Sequence, residues 1–152
     1  MPDNSFLGAG MKFPPQINPA TGRFVISSQA ESVKESVYLI LMTQKSERLV
    51  RPGFGSRIMS YTFMDTNLTA LNMMIRELED QILSQEPRIG NVDINVDSTS
   101  RPGCLIMQID YVLRESNVRD NLVFPFYLDA TAEVEEYEPE QYSPEQVEEF
   151  TD

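Results

Sequence analysis

The chain has no histidine and one cysteine, Cys104. These shortages exclude a disulfide within the chain, a cysteine-histidine dyad and the usual zinc sites; they are consistent with a reducing compartment. Long hydrophobic runs are missing too. The longest, Val37 to Met42, is far shorter than the roughly 20 residues that span a bilayer. The N-terminus lacks a basic stretch followed by an apolar one, so the expectation is a soluble protein with no Sec signal and no membrane insertion. Positive charge is scarce, with 12 Lys and Arg against 24 Asp and Glu and a net charge of -12. Ten of the acids and none of the bases fall after Leu128, which leaves the first 128 residues nearly neutral. A neutral body with an acidic end argues against nucleic acid as a partner, because phosphate neutralisation needs a concentrated basic face.

What is present reads as one domain, since 152 residues bury a single core. Residues 1–27 form an N-terminal arm, with turn clusters at Pro14-Pro15 and Asn18-Pro19-Ala20-Thr21-Gly22 and a short β-like run, Arg23 to Ile26. Ser28 and Glu31 fit a capping box. Val33, Val37, Ile40 and Leu41 follow at helical spacing and predict a helix from about Gln29 to Gln44. Asn67 is the expected cap of a second helix, Leu68, Leu71, Ile75, Leu78 and Ile82 are its apolar stripe, and Pro87 stops it. Met59, Met64, Met73 and Met74 read as core filler.

The period then changes to two. Val92, Ile94 and Val96, then Leu105 to Leu113, then Leu122, Phe124, Phe126 and Leu128 alternate with polar neighbours as three strands. Pro125 favours an edge position for the last. The expected fold class is α+β, with two amphipathic helices packed on one face of a small, mainly antiparallel sheet to which the N-terminal run is a candidate addition. The body spans 28–130. Residues 131–152 are expected to remain a disordered acidic tail, given their low apolar content, Pro139, Pro144 and like charges.

Three features are candidate sites. The linker between the helices holds Glu47, Arg48, Arg51, Pro52, Phe54 and Gly55, followed by Arg57. Forked guanidinium donors suit carboxylates and carbonyls, and the prolyl and glycyl residues break regular structure. The plainer alternatives are that Arg48 and Arg51 cap helix carbonyls or pair with Glu47, and that Phe54 anchors the linker in the core. The second feature is Glu86-Pro87-Arg88. Proline pushes residue 86 into extended geometry, so Glu86 and Arg88 point to one side as a charge pair on a rigid stem. Each charge-assisted bond would be worth about 1.5 to 3 kcal/mol if buried, against about 0 to 1 for an exposed pair. The plainer alternative is a helix stop followed by a solvated Arg. The third is a strand edge, over Leu122, Val123, Phe124 and Phe126 or over 92–96, which can template a partner strand.

The N-terminal Phe6 to Pro14 segment, the Asn18 to Gly22 turn, the Glu47 to Gly55 linker and Glu86-Pro87-Arg88 occur in this order. Together they resemble the small baseplate wedge protein of contractile tails, the family that includes phage baseplate assembly protein W and the type VI secretion subunit TssE. The likeness covers about residues 5 to 128 and leaves out the acidic extension. It implies a non-catalytic structural subunit around a central spike, similar in fold to the sheath domain that links successive sheath subunits. The implied partners are other wedge subunits, the sheath protein and tube or spike and hub proteins, in a large symmetric assembly built in the bacterial cytoplasm without a cofactor or metal. Glu86, Pro87 and Arg88 would hold neighbouring wedge subunits, and Glu47, Arg48, Arg51, Pro52, Phe54 and Gly55 match the family's other recurring motif. Some members have been labelled lysozyme-like; Glu31, Glu35, Glu47 and Asp65 would be the carboxylates for that chemistry. No apolar pocket near them is evident to raise one pKa above the other.

Overall fold

A computed structural model of the chain describes residues 7–63 and 67–128. Phe6, Met64, Asp65 and the tail lie outside the described residues. The elements, in chain order, are β1 (Ala9–Met11), β2 (Ile26–Ser28), α1 (Gln29–Met42), a 3-10 turn (Ile58–Tyr61), α2 (Leu68–Gln85), β3 (Ile89–Asp97), β4 (Cys104–Leu113) and β5 (Arg119–Tyr127). β3, β4 and β5 form an antiparallel sheet in that order, and β1 pairs with β2 in a separate antiparallel ribbon. The α+β expectation holds, while the N-terminal strand makes its own two-stranded sheet instead of extending the main one.

Side-chain alternation places the core. Leu105, Met107, Ile109, Tyr111 and Leu113 of β4 are buried on one sheet face, with Val92 and Ile94 of β3 and Phe124 and Phe126 of β5. Helix α1 covers them with Val33, Val37, Ile40 and Leu41, the stripe read from the sequence. Fully burying such a side chain contributes about 1.5 to 3 kcal/mol. In α2 Leu71, Ile75, Leu78 and Ile82 of the expected stripe pack on the core, and the buried face extends to Met74. Met74, Leu78 and Ile82 are buried with Gln81, whereas Leu68 is 75% exposed and Met73 also faces out. Of the methionines read as filler, Met74 fills the core and Met59 is exposed.

Asn67 caps α2 as expected, its side chain accepting from the Ala70 amide at 2.8 Å. Pro87 ends it: the last helical residue is Gln85, and Glu86 is the cap. The capping box at α1 does not form. Ser28 is the cap residue but makes no side-chain cap bond, because it sits in the β1–β2 ladder opposite Ala9 and the chain turns into the helix through Gln29 at φ 55. Glu31 instead pairs with Lys12 at 3.0 Å, tying the arm to α1. No helix of the described residues is long and apolar enough to cross a membrane.

Candidate functional site

The junction between α2 and β3 is the most heavily bonded polar cluster of the fold. The Arg88 guanidinium forks onto Glu86, with Nε and Nη2 each 2.7 Å from a different carboxylate oxygen. Its Nη1 donates to the Leu7 carbonyl at 2.8 Å and to Ser32 Oγ at 3.2 Å. Glu86 is 2% exposed. Burial alone would raise its pKa, but hydrogen bonds from Arg88 and Ser36 outweigh burial and hold the carboxyl below its ordinary value. The same partner raises the Arg88 pKa. The two side chains thus point to one side, as the proline-induced extension requires, and Arg88 is not a solvated residue behind a helix stop. The burial that gives the pair its strength is supplied by the chain's own arm and α1. Beside it Tyr111, 1% exposed, donates to Asp120 at 3.1 Å, and burial, reinforced by Asp120, pushes its hydroxyl above the ordinary range.

The linker points the other way. After α1 the chain forms a parallel bridge, Gln44 to Ser56, and closes a loop in which the Ser46 amide donates to the Pro52 carbonyl at 2.8 Å. Gly55 requires its lack of a side chain: φ is +106, and an added Cβ would sit 2.2 Å from the Thr43 carbonyl oxygen. A reciprocal amide pair fixes this residue to α2, Gly55 N to Gln85 Oε1 at 2.7 Å and Gln85 Nε2 to Gly55 O at 2.8 Å. Two residues on, Arg57 N donates to Gln81 Oε1 at 3.2 Å. On that base, Phe54 packs against the core and carries two cations on its ring, Arg48 at 4.6 Å and Arg51 at 5.8 Å from the centroid. Glu47 accepts from the Gln44 amide at 2.9 Å. Arg48 and Arg51 therefore stack on Phe54, which meets the anchor reading, and neither helix-carbonyl capping nor pairing with Glu47 describes them. Between them Leu49 and Val50 are 96% and 94% exposed.

The two sheet edges differ. The Leu128 amide donates to Gly103 O, and at the other end of the pair the Leu113 amide donates to Val118 O. Alternation between these bonds turns the backbone groups of Leu122, Phe124 and Phe126 toward β4, and those of Asn121, Val123, Pro125 and Tyr127 outward. The Asn121 amide bonds the Asp120 carboxylate at 2.8 Å and Pro125 has no amide hydrogen, so the outward donors left in the middle and end of β5 are Val123 and Tyr127. On β3 the outward Ile94 amide is taken by Glu79 of α2 at 3.1 Å.

Among the described residues, the candidate carboxylates Glu31 and Glu35 sit one turn apart on α1 and Glu47 in the linker. Glu31 is bound to Lys12, Glu47 caps the loop amide, Glu35 lies on α1, and Asp65 is outside the described residues. An open hollow of about 850 Å³ lies instead on the sheet, lined by Glu79, Asp93, Asp110, Arg119 and Asp120 among others, and none of Glu31, Glu35 or Glu47 reaches it. Among the described residues no group of three or more Cys, Asp or Glu is placed to hold a metal. Sequence reasoning missed Gln81, Gln85, Ser32 and the Leu7 carbonyl. Only the glutamines left a signal, as amides four apart beside the apolar stripe of α2.

Fold and site define a small binding scaffold with an inward-tied helix junction, an outward arginine loop and partly open strand edges. Residues 27–118 match the family described as baseplate wedge protein gp25. A Geobacter sulfurreducens structure described as a candidate tail lysozyme is 36% identical, with a TM-score of 0.64 over 72% of this chain and 100% of that one. A chain of the anti-feeding prophage baseplate is 21% identical and shares the fold, with a TM-score of 0.57 over 85% of this chain and 92% of that one. A comparison with curated proteins finds no match. The chain belongs to the baseplate wedge protein gp25 family. It is, at that level, a structural baseplate component.

Proposed function

We infer that this chain joins wedge subunits around the central spike of a contractile injection machine and templates the first sheath ring by strand pairing. The observation that carries the sheath contact is the β5 edge, where Val123, 44% exposed, presents an outward amide and carbonyl. Main-chain pairing at such an edge gives affinity without demanding particular side chains. The β3 edge is the weaker template, because Glu79 already occupies its central amide. Leu122, Phe124 and Phe126 support the edge from beneath through their ladder to β4, the two phenylalanines buried and Leu122 partly so.

Wedge contacts fall to the linker and to the Glu86-Pro87-Arg88 junction. Glu47, Pro52 and Gly55 shape the loop, Arg48 and Arg51 offer forked donors over Phe54, and Pro87 is exposed at the end of a stem that Glu86 and Arg88 hold rigid. Its implied partners are other wedge subunits, sheath, and tube or spike and hub proteins, with assembly in the bacterial cytoplasm. The test is particle assembly in a strain carrying Val123→Pro, which removes an outward donor while leaving the β4 ladder intact. Electron microscopy should show baseplates without attached sheath; normal sheathed particles would refute the pairing. Glycoside hydrolysis is the competing reading, and it has against it the engagement of Glu31 by Lys12 and of Glu47 by the Gln44 amide.

A further inference from the structure

The basic charge of this acidic chain has one concentration. Residues 45–57 carry Lys45, Arg48, Arg51 and Arg57 against a single acid, Glu47, whose carboxylate is bonded to the Gln44 amide. The loop tip adds two almost fully exposed aliphatic side chains, Leu49 and Val50. The opposite composition stands after Leu128. Those 24 residues hold ten acids, no base, and Tyr137, Tyr142, Val147 and Phe150 spaced among the carboxylates. Carboxylates suit guanidinium forks, and aromatic rings suit both the arginine faces and an apolar tip.

The length of the tether lets the two meet. Lys34 lies 3.5 Å from Asp120, and four residues further on Tyr38 packs edge-on against Phe124 with centroids 5.9 Å apart. Helix α1 and strand β5 therefore run in the same direction. The linker leaves the C-terminus of α1 and is pinned to Gln85 at the end of α2 that leads into β3, no more than about one nine-residue strand length, roughly 30 Å, from the end of β5. A chain of 24 residues has a root-mean-square reach of about 25 Å, and a tether of that length gives a local concentration on the order of millimolar.

We propose that residues 45–57 are a docking site for the acidic C-terminal segment, 129–152, of the same molecule. The segment shields Arg48, Arg51 and the Leu49-Val50 tip in the free protein. The contact itself requires no baseplate; its consequence, that a wedge subunit must displace the segment to reach the linker, rests on the function proposed above.

Trypsin reads the contact directly in the isolated full-length protein, because the Arg48–Leu49 bond lies in the shielded tip while Arg51 is followed by proline. The comparison is with a full-length variant whose ten acids after Leu128 are changed to Asn or Gln, and cutting at Arg23–Phe24 in the exposed arm is the internal reference for folding. At low salt the wild type should be cut at Arg48–Leu49 about fivefold more slowly than the variant, as expected for weak docking at millimolar local concentration. The difference should vanish near ~0.5 M salt, where charges are screened within a few ångströms. Equal rates at low salt overturn the proposal. So does protection that grows with protein concentration, which would assign the site to the segment of a neighbouring copy. Loss of sheathed particles without these changes would bear on the baseplate function alone.

Discussion

Two arginine clusters, built from similar residue types, are put to opposite uses by their surroundings. Arg88 is heavily engaged: its three nitrogens make four bonds, to Glu86, the Leu7 carbonyl and Ser32, and its carboxylate partner is buried. Arg48 and Arg51 lie over the Phe54 ring, and the residues at their loop tip face solvent. What separates them is cover. The junction is roofed by α1 and the N-terminal arm, whereas the linker is held only from below, by Gln81 and Gln85. A guanidinium whose donors are mostly taken within the chain stabilises a fold; one on an exposed loop retains capacity for a partner.

The sharpest way to break this contrast is Arg88→Ala. It leaves the Glu86 carboxylate buried without its fork, which should cost about 3 to 5 kcal/mol in a denaturant titration. The pH profile should change sign as well. In the wild type the Glu86 pKa is depressed, so its contribution is present above the ordinary value of 4.5 and is lost as pH falls through the folded value. With Arg88 gone, burial dominates and the folded pKa rises, so the variant should gain stability relative to neutral pH as the medium is acidified toward that ordinary value. An unchanged profile would mean that Glu86 is not governed by its fork.

Gly55→Ala should come next, at about 2 to 3 kcal/mol, since the new Cβ meets the Thr43 carbonyl in a backbone conformation that L residues rarely adopt. It tests whether the linker is as firmly built at its base as the junction is throughout. The smallest effect belongs to Arg48→Ala and Arg51→Ala. Each should shift stability by less than about 1 kcal/mol, the range of an exposed cation–π contact, while particle yield in the producing strain falls. Stability loss comparable with Arg88→Ala would erase the distinction between the clusters.

Local periodicity made much of this fold legible. The apolar spacing of α1, the Asn67 cap, the Pro87 stop and the alternation of β3, β4 and β5 depend on neighbours in sequence, and each appears where its residues predict. Long-range contacts were not legible. Ser28 lost its capping role to a strand partner 19 residues earlier, Ala9, and Glu31 lost its own to Lys12. The α2 stripe lost Leu68 and gained Met74 because tertiary packing, not the tidiest heptad, decides which face is covered. At the site, Glu86 and Arg88 were found as a pair, but the carbonyl that completes the cluster lies 81 residues away. The Arg48 and Arg51 stack on Phe54 required the loop closure to be known first.

Pro125 carries a consequence for any strand that settles against β5. A visitor finds carbonyl acceptors at Val123, Pro125 and Tyr127 but amide hydrogens only at the first and last of them. A register that sets the visitor's own carbonyl opposite the middle position buries it without a donor, at about 1 to 3 kcal/mol. One imino acid thereby acts as a reading-frame mark, rejecting slipped alignments by the vacancy it leaves in an otherwise regular row.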